Sequence, residues 1–254
     1  MPYNRKMRQM AEKIKLIRLE ETDSTNRYLS QYRGDEGQLM TIVTARHQTA
    51  GRGQGTHTWE SERGKNLLFS IKTTPKALPL SRKYIVMQAE ALAILEMLRR
   101  YGEGFTIKWP NDIYWHDKKI SGTLSESSIV GNTIKCVILG TGINVNQETF
   151  HSDAPNPISL CSIIGRQVDV EGLLREIVDA FATYINMVNN GEYDAIHNEY
   201  MLNLYRRTGN YKFMDIGGEF VARIENVRQD GKIVLLRQDG KRSEYDFCEL
   251  RFVP

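Results

Sequence analysis

Cysteine is scarce in this chain, and what there is does not pair. Cys136, Cys161 and Cys248 are odd in number and far apart. They give neither a disulfide framework nor metal-ligand spacing, and a reducing cytoplasm is the simplest home for them. The five histidines are scattered and form no His-x-x-x-His pair, so a protein-held catalytic zinc is not expected. No apolar run approaches membrane-spanning length. The stretch Arg5-Lys6-Met7-Arg8, followed by Lys13, Lys15 and Arg18, is basic but precedes no apolar segment, so it is not a signal peptide. Net charge is only +3, which supplies no general drive toward nucleic acid. Internal repeats and low-complexity tracts are absent as well.

What remains is a globular composition, 41% hydrophobic and 26% charged over 254 residues. That length allows one large domain, or one large and one small. Met40 to Ala45 and Asn66 to Ile71 read as buried strands. Lys83 to Tyr101 reads as a largely buried helix stopped by Gly102. Phe105 to Trp109 reads as a strand broken by Pro110. Asp112 to Trp115 and Lys119 to Leu124 flank the polar turn His116-Asp117-Lys118, a hairpin signal. A second hairpin turns near Gly131-Asn132, with a mostly apolar strand from Thr133 to Leu139. Asp169 can cap a helix running to about Val188, which presents Leu173, Leu174, Ile177, Phe181 and Ile185 on one face. Glu192 to about Tyr205 is another helix. Beyond Thr208 short strands alternate with the tight-turn dipeptides Asp230-Gly231 and Asp239-Gly240. The expected division is therefore 1–208 and 209–254, with the second unit a small barrel or half-barrel docked on the first.

Gly51-Arg52-Gly53-Gln54-Gly55-Thr56-His57-Thr58-Trp59 is the most informative stretch. Its glycines let backbone N–H groups approach a ligand, and the arginine between two of them has nothing to pack on except what the loop encloses. It is not a dinucleotide fingerprint, because the sixth position is Thr56 and a strand follows. It is not a P-loop, because no Gly-Lys-Ser/Thr opens a helix. Alone, it is equally an ordinary glycine-rich hairpin connection. Three further clusters are polar without being core-like. Asp23-Ser24-Thr25-Asn26 makes a good helix N-cap, and its hydroxyls can also bond a neutral ligand such as a urea. In Lys108-Trp109-Pro110-Asn111-Asp112 the proline leaves Asn111 and Asp112 exposed at a strand end, where a carboxylate can meet a metal or an amine; a simple turn is the plainer reading. Lys119 stands at a hairpin foot with Gly122 three residues on. Gly140-Thr141-Gly142-Ile143-Asn144-Val145-Asn146 adds a glycine approach followed by alternating amides.

Together, and in this order from Asp23 to Asn146, these motifs resemble the biotin protein ligases (biotin–acetyl-CoA-carboxylase ligases). The resemblance implies an α+β fold: a catalytic domain like that of class II aminoacyl-tRNA synthetases, a mixed sheet flanked by helices, then a small SH3-like domain. It implies that Ser24, Thr25 and Gln48 bond the biotin head, that Gly51, Gly122 and Leu124 line its channel, and that Arg52 and Lys119 meet its carboxylate. Arg52, Gln54, Trp59, Asn111, Lys119 and Asn144 then fall around ATP or the adenylate. Arg52, Lys119 and Asp112 are the implied catalytic residues, with Asp112 near the metal or the incoming acceptor lysine. The sequence departs from the family at Gln54-Gly55-Thr56-His57, where many relatives carry a basic residue or a glycine one place later. That leaves the loop path and any nucleotide role of His57 open. Only about 22 residues precede Asp23, too few for the helix-turn-helix domain of the relatives that act as repressors, so no DNA binding is expected.

The implied substrates are biotin and ATP with Mg2+, and no dedicated protein cage holds the metal. The implied partner is the biotin carboxyl carrier domain of a biotin-dependent carboxylase, with a homodimer through an exposed sheet edge compatible and no membrane involved. Two other readings stand beside it. A lipoate- or octanoate-transferring enzyme of related fold also uses an active-site lysine. A non-catalytic binding module is the alternative from another class.

Overall fold

The structure is a computed structural model that describes residues 13–34, 37–152 and 156–254. The basic segment Arg5-Lys6-Met7-Arg8 lies outside the described residues. In chain order the first part contains β1 (Ile14–Leu19), α1 (Thr25–Gln31), β2 (Met40–Ala45), β3 (Leu67–Thr73), β4 (Leu78–Pro79) and α2 (Ile85–Arg99). It continues with β5 (Phe105–Lys108), β6 (Asp112–Trp115), β7 (Lys118–Val130), β8 (Thr133–Ile143), α3 (Leu160–Ile164), α4 (Val170–Asn189) and α5 (Tyr193–Leu202). The last part contains β9 (Tyr211–Asp215), β10 (Gly218–Val227), β11 (Ile233–Arg237), β12 (Arg242–Tyr245) and β13 (Arg251–Phe252).

The large sheet runs in the order β1-β2-β3-β8-β7-β6-β5, with β4 paired to β8. It is mixed, because β1 lies parallel to β2 and the other neighbours are antiparallel. Every residue of β2 is buried, as expected for a β-branched run covered on both faces. Side chains alternate across the sheet, so each strand serves two faces. On one face lies the main core, where Ile42, Phe69, Ile71 and Leu139 meet the helices. On the other, Val43 and Ile138 pack under Leu29 of α1. α2 is buried along nearly its whole length, which explains why its sequence shows little amphipathicity. Asp169 caps α4, its Oδ1 accepting from Glu171 N at 3.1 Å.

The expected helix from Glu192 to Tyr205 ends earlier, at Leu202. Competition for backbone partners explains the difference: Ile107 N donates to Asn203 O at 2.9 Å, and Tyr205 N donates to Ile107 O at 2.8 Å. The chain leaves the helix to extend the edge of β5. The break at Pro110 is also tighter than expected, since β5 and β6 pair directly as a hairpin from Lys108↔Asp112 outward. The second hairpin is longer, with β8 continuing past Leu139 to Ile143.

The last five strands form an antiparallel sheet, β12-β11-β10-β9-β13, with Gly231 (φ +95°) and Gly240 (φ +84°) at the two Asp-Gly turns. It shares a single apolar cluster with the rest of the chain. Trp109 Nε1 donates to Gly231 O at 2.9 Å, and Phe247 packs against both Trp109 and Tyr84 at ring distances of 5.2 and 5.1 Å. Lys108 turns to the same side, with Nζ 2.9 Å from Tyr114 Oη and 5.3 Å from the Phe252 ring centroid. Burial there pushes the Lys108 ammonium below its ordinary pKa, partly offset by Asp112.

Beneath the large sheet, Glu90 of α2 is fully buried. Thr141 Oγ1 donates to its Oε1 at 2.8 Å, while Oε2 has no protein partner. Burial lifts this carboxyl from 4.5 to about 7. The folded state therefore holds a proton that the unfolded chain has released, so the stability contribution is complete below pH 4.5 and is lost as pH rises through about 7. Its slope in that window approaches about 1.4 kcal/mol per pH unit. Glu90→Gln is expected to remove it. The Tm difference, variant minus parent, then grows by several degrees from about pH 5 to about pH 8, as read by thermal denaturation. A difference constant across that range contradicts the burial of an ionisable Glu90.

Candidate active site

Strand register builds the floor of the site. Ser70 of β3 pairs with Gly140 of β8, and Gly140 pairs with Leu124 of β7. Two residues along, Leu68 pairs with Gly142, and Gly142 with Gly122. These residues share the face opposite α2, because Thr141 between the glycines points to Glu90. Gly140 and Gly142 therefore leave a furrow down the middle of three strands. It is already used at close range. A Cβ on Gly140 would stand 2.1 Å from Asn26 Oδ1, and one on Gly142 would stand 2.2 Å from the Trp59 ring. Neither position tolerates a side chain without displacing a residue of the site.

The glycine loop closes over this furrow as a small hairpin of its own. Gly53 N donates to His57 O at 2.7 Å, and Trp59 N donates to Gly51 O at 3.1 Å. A Cβ at Gly51 would meet Trp59 O at 2.7 Å, so this closure requires glycine. Upstream, Thr49 N donates to Thr22 O at 2.9 Å and Ala50 N to Asp23 O at 3.0 Å. The loop base and the segment before α1 are thus stitched together. From Arg52 to Thr58 the loop is exposed except for Gly53.

One cleft of about 620 Å3 takes in residues from all of these motifs, within the size range of small-molecule sites. Ser24, Thr25, Gln48 and Leu124 line it. Arg52, Asp112, Lys119 and Gly122 line it too, as do Gln54, His57, Trp59, Asn111 and Asn144. Gly51 is buried beside it, under Trp59.

The helix N-cap expected within Asp23–Asn26 falls at Ser24, though not through its hydroxyl. Ser24 occupies the N-cap position of α1, but its side chain makes no capping bond. The amide of Gln48, arriving from the base of the glycine loop, does the work instead: Gln48 Oε1 accepts from Thr25 N at 2.7 Å and from Thr25 Oγ1 at 3.0 Å. The buried hydroxyl of Ser24 is left free of the helix end. The exposure expected of Asn111 is corrected. It is buried, because its Nδ2 donates to Thr123 O at 2.7 Å across the neighbouring strand. Asp112 is three-quarters covered and bonds Lys119, with Nζ to Oδ2 at 2.7 Å. A bulge in the β6–β7 pairing shifts the register between Ile113↔Ser121 and Tyr114↔Lys119. That bulge brings Lys119 onto the same face as Gly122, whose Cβ would lie 2.9 Å from Lys119 Nζ and 3.1 Å from Asp112 Oδ1.

Two further residues here, Glu126 and Glu60, carry no motif signal. Glu126 pairs with Arg52 at 3.1 Å, and Asn26 Nδ2 donates to Glu126 Oε2 at 2.9 Å. Glu60 gathers the chain around 151, accepting from His151 N at 3.0 Å and Ser152 N at 2.6 Å. Its carboxyl lies below its ordinary pKa even though desolvation, the largest single influence, works the other way; the bonds from His151 and Ser152 prevail. Trp59 presents its ring 6.0 Å from Lys119 Nζ, and its indole N–H is buried without a protein partner. Such a donor inside a cleft is one that a ligand can satisfy.

The lining offers hydroxyl and amide groups, two cations and an aromatic face. That set suits a ligand with a neutral polar head and an anionic tail. Comparison with known proteins agrees. Residues 19–144 match the biotin/lipoate A/B protein ligase family. The biotin–[acetyl-CoA-carboxylase] ligase of Paracoccus denitrificans is 30% identical over 239 residues, covering 88% of this chain and 95% of that protein. The bifunctional ligase/repressor BirA of Bacillus spizizenii is 28% identical over 88% of this chain and 69% of its own length. The biotin protein ligase of Aquifex aeolicus, solved in complex with biotin and ATP, superposes with a TM-score of 0.77 at 25% identity, over 94% of this chain and 99% of that one. With these likenesses and with its motifs gathered in one cleft, the chain belongs to the biotin protein ligase family.

Proposed function

We propose that this protein activates biotin with ATP to biotinyl-5′-AMP and then transfers the biotinyl group to a lysine of a carboxylase carrier domain. The observation that carries the reading is the meeting of Arg52, Lys119 and Asp112 with Thr25, Gln48 and Trp59 in a single cleft. In the first step the biotin carboxylate attacks the α-phosphorus of ATP, and pyrophosphate leaves. Two anions must approach, and their repulsion grows as water is excluded. Arg52 and Lys119 offset it and take up charge on the pentacoordinate phosphorus. Ser24, Thr25 and Gln48 serve the uncharged head of biotin, with Gly51, Gly122 and Leu124 along its channel. Trp59, Gln54, Asn111 and Asn144 lie on the nucleotide side.

The donor set supports no protein-held metal. Among the described residues no three His, Cys, Asp or Glu groups cluster for one, and Asp112 and Glu126 are already paired with cations. Magnesium fits as the counter-ion that ATP brings with it. In the second step a neutral lysine amine attacks the mixed anhydride, giving an amide and AMP. Asp112 is suited to orient that amine once Lys119 turns to the acyl phosphate. The Gly51–Trp59 hairpin covers a water-sensitive intermediate, as a closing loop should.

We read 1–208 as the catalytic domain, with the architecture of class II aminoacyl-tRNA synthetases, and 209–254 as an SH3-like domain braced against it. The second antiparallel sheet supports this division. Among the described residues β7 pairs with β6 only as far as Ser121, and its edge beyond Thr123, whose carbonyl Asn111 holds, is suited to a homodimer. Among the described residues no helix is long and apolar enough to cross a membrane. We read the protein as a cytoplasmic enzyme, and its low net charge favours no DNA partner. The lipoate and binding-module readings are not favoured.

Biotin-dependent exchange of pyrophosphate into ATP tests the first step. Biotin is expected to support it and lipoate is not. Arg52→Ala and Lys119→Ala should each lower the exchange rate at least ~100-fold, the usual loss on removing one charge-stabilising donor, with circular dichroism unchanged. Undiminished exchange in both variants contradicts the assignment. Asp112→Asn separates the two steps. Carrier biotinylation, followed by intact mass, is expected to fall by about tenfold more than exchange does. An equal loss in both half-reactions removes the special role of Asp112 in transfer.

A further inference from the structure

Arg52, which lines the cleft, is paired with a carboxylate that the reaction above does not use. Glu126 lies on β7 two residues beyond Leu124 and on the same face. Arg52 Nη2 donates to its Oε1 at 3.1 Å and its Oε2 at 3.3 Å. Asn26 Nδ2 donates to Oε2 at 2.9 Å, so the carboxylate is held from a second side. Asn26 in turn accepts from Ser70 Oγ at 2.6 Å, and that hydroxyl stands 2.7 Å from Thr25 Oγ1. Thr25 bonds Gln48. A continuous set of polar contacts therefore runs from the groups assigned to the biotin head to the arginine assigned to its tail. Asn26 and Ser70 are buried, which fixes Glu126 at one end. Arg52 stands on an exposed, glycine-flanked loop.

We propose that Glu126 is the built-in counter-ion of Arg52 and sets how strongly the cleft selects for an acid group. The inference rests on the biotin ligase reading. A carboxylate entering beside Arg52 gains the guanidinium only by sharing it with a negative charge that stays in place. The two like charges raise the cost of entry, so Glu126 weakens capture of the acid while aiming Arg52 across the furrow. The side chains of the pair are 39% and 40% exposed. Such an ion pair is weak and can be broken by a ligand. A neutral ligand with the same ring system would not compete with Glu126 at all. Glu126 is thus a positioning residue for Arg52, and its mark is the ratio of affinities for a charged and an uncharged form of one molecule.

The test is calorimetric titration of the full chain with biotin and with biotin methyl ester, which keeps the rings and loses the charge. In Glu126→Gln the new amide oxygen still accepts from Asn26, and the charge is gone. The affinity ratio, biotin over ester, is expected to rise about two- to fivefold, the range of a half-exposed ion pair. The rise should vanish when Glu126→Gln is placed in an Arg52→Gln background. A ratio that is unchanged or falls in Glu126→Gln overturns the proposal, as does a rise that persists without Arg52. A merely structural role would weaken both ligands together and leave the ratio where it was. If Glu126→Gln does not fold, Glu126→Asp serves: it withdraws the charge by one methylene and is expected to raise the ratio in the same direction, an unchanged ratio overturning the idea. Parent protein that binds neither ligand removes the biotin reading itself, and the proposal with it. Parent protein that binds biotin while the ratio stays fixed removes the proposal alone.

Discussion

Two anions brought together in a half-enclosed cleft repel each other, and on the proposed reading the site is organised against that repulsion. Joining a carboxylate to a nucleotide phosphate requires positive charge between them, placed where water screens it little. On the proposed reading the chain supplies Arg52 from a glycine-rich hairpin and Lys119 from a bulged strand. Neither cation is left bare. Asp112 sits 2.7 Å from Lys119, and Glu126 sits 3.1 Å from Arg52. Each carboxylate is itself placed by its strand, Asp112 on β6 and Glu126 on β7. Bare glycine at 140 and 142 gives that furrow its depth, and Asn26 and Trp59 already enter it.

The rest of the fold holds this constellation from outside the cleft. The Lys-Trp-Pro-Asn-Asp motif faces two ways. Asn111 and Asp112 turn into the cleft, whereas Lys108 and Trp109 turn toward the C-terminal sheet and are held there by Tyr114, Phe252 and Gly231. A shift of the C-terminal sheet would therefore be felt by the strand end that carries Asp112. On the far side, α2 presses Glu90 under Thr141 and Thr123, directly beneath the glycine-bearing strands. A carboxyl with one unpartnered oxygen there costs stability. Its hydrogen bond fixes the rotamer of Thr141, between the two glycines of the furrow.

Much of this was legible in the residue order because it depends on local pattern. The β-branched run of β2, the cap at Asp169, the Asp-Gly turns and the glycine loop each signal within a few residues. The sequence also places the five motifs in order. It could not show the contacts that make them one site. Gln48 bonds Thr25 from 23 residues away, and Arg52 meets Glu126 across 74. Periodicity has no access to such pairs. The cap within Asp23–Asn26 was legible because short polar residues favour that position, but the bond to Thr25 N comes from Gln48 on another loop. Asn111 looked exposed because Pro-Asn-Asp is turn chemistry, yet the hairpin it turns is packed against β7. Glu90 looked like one more residue of an apolar helix. Only the sheet above it reveals that it is sealed from water.

The most direct test is a crystal structure of the complex with a non-hydrolysable analogue of biotinyl-5′-AMP. The expected result is that the Arg52 guanidinium and the Lys119 ammonium both lie about 3 Å from oxygens of the same acyl-phosphate group, with the indole of Trp59 beside the nucleotide. Arg52 and Lys119 found on separate anions, or Lys119 bonded to Asp112 alone, would contradict the account.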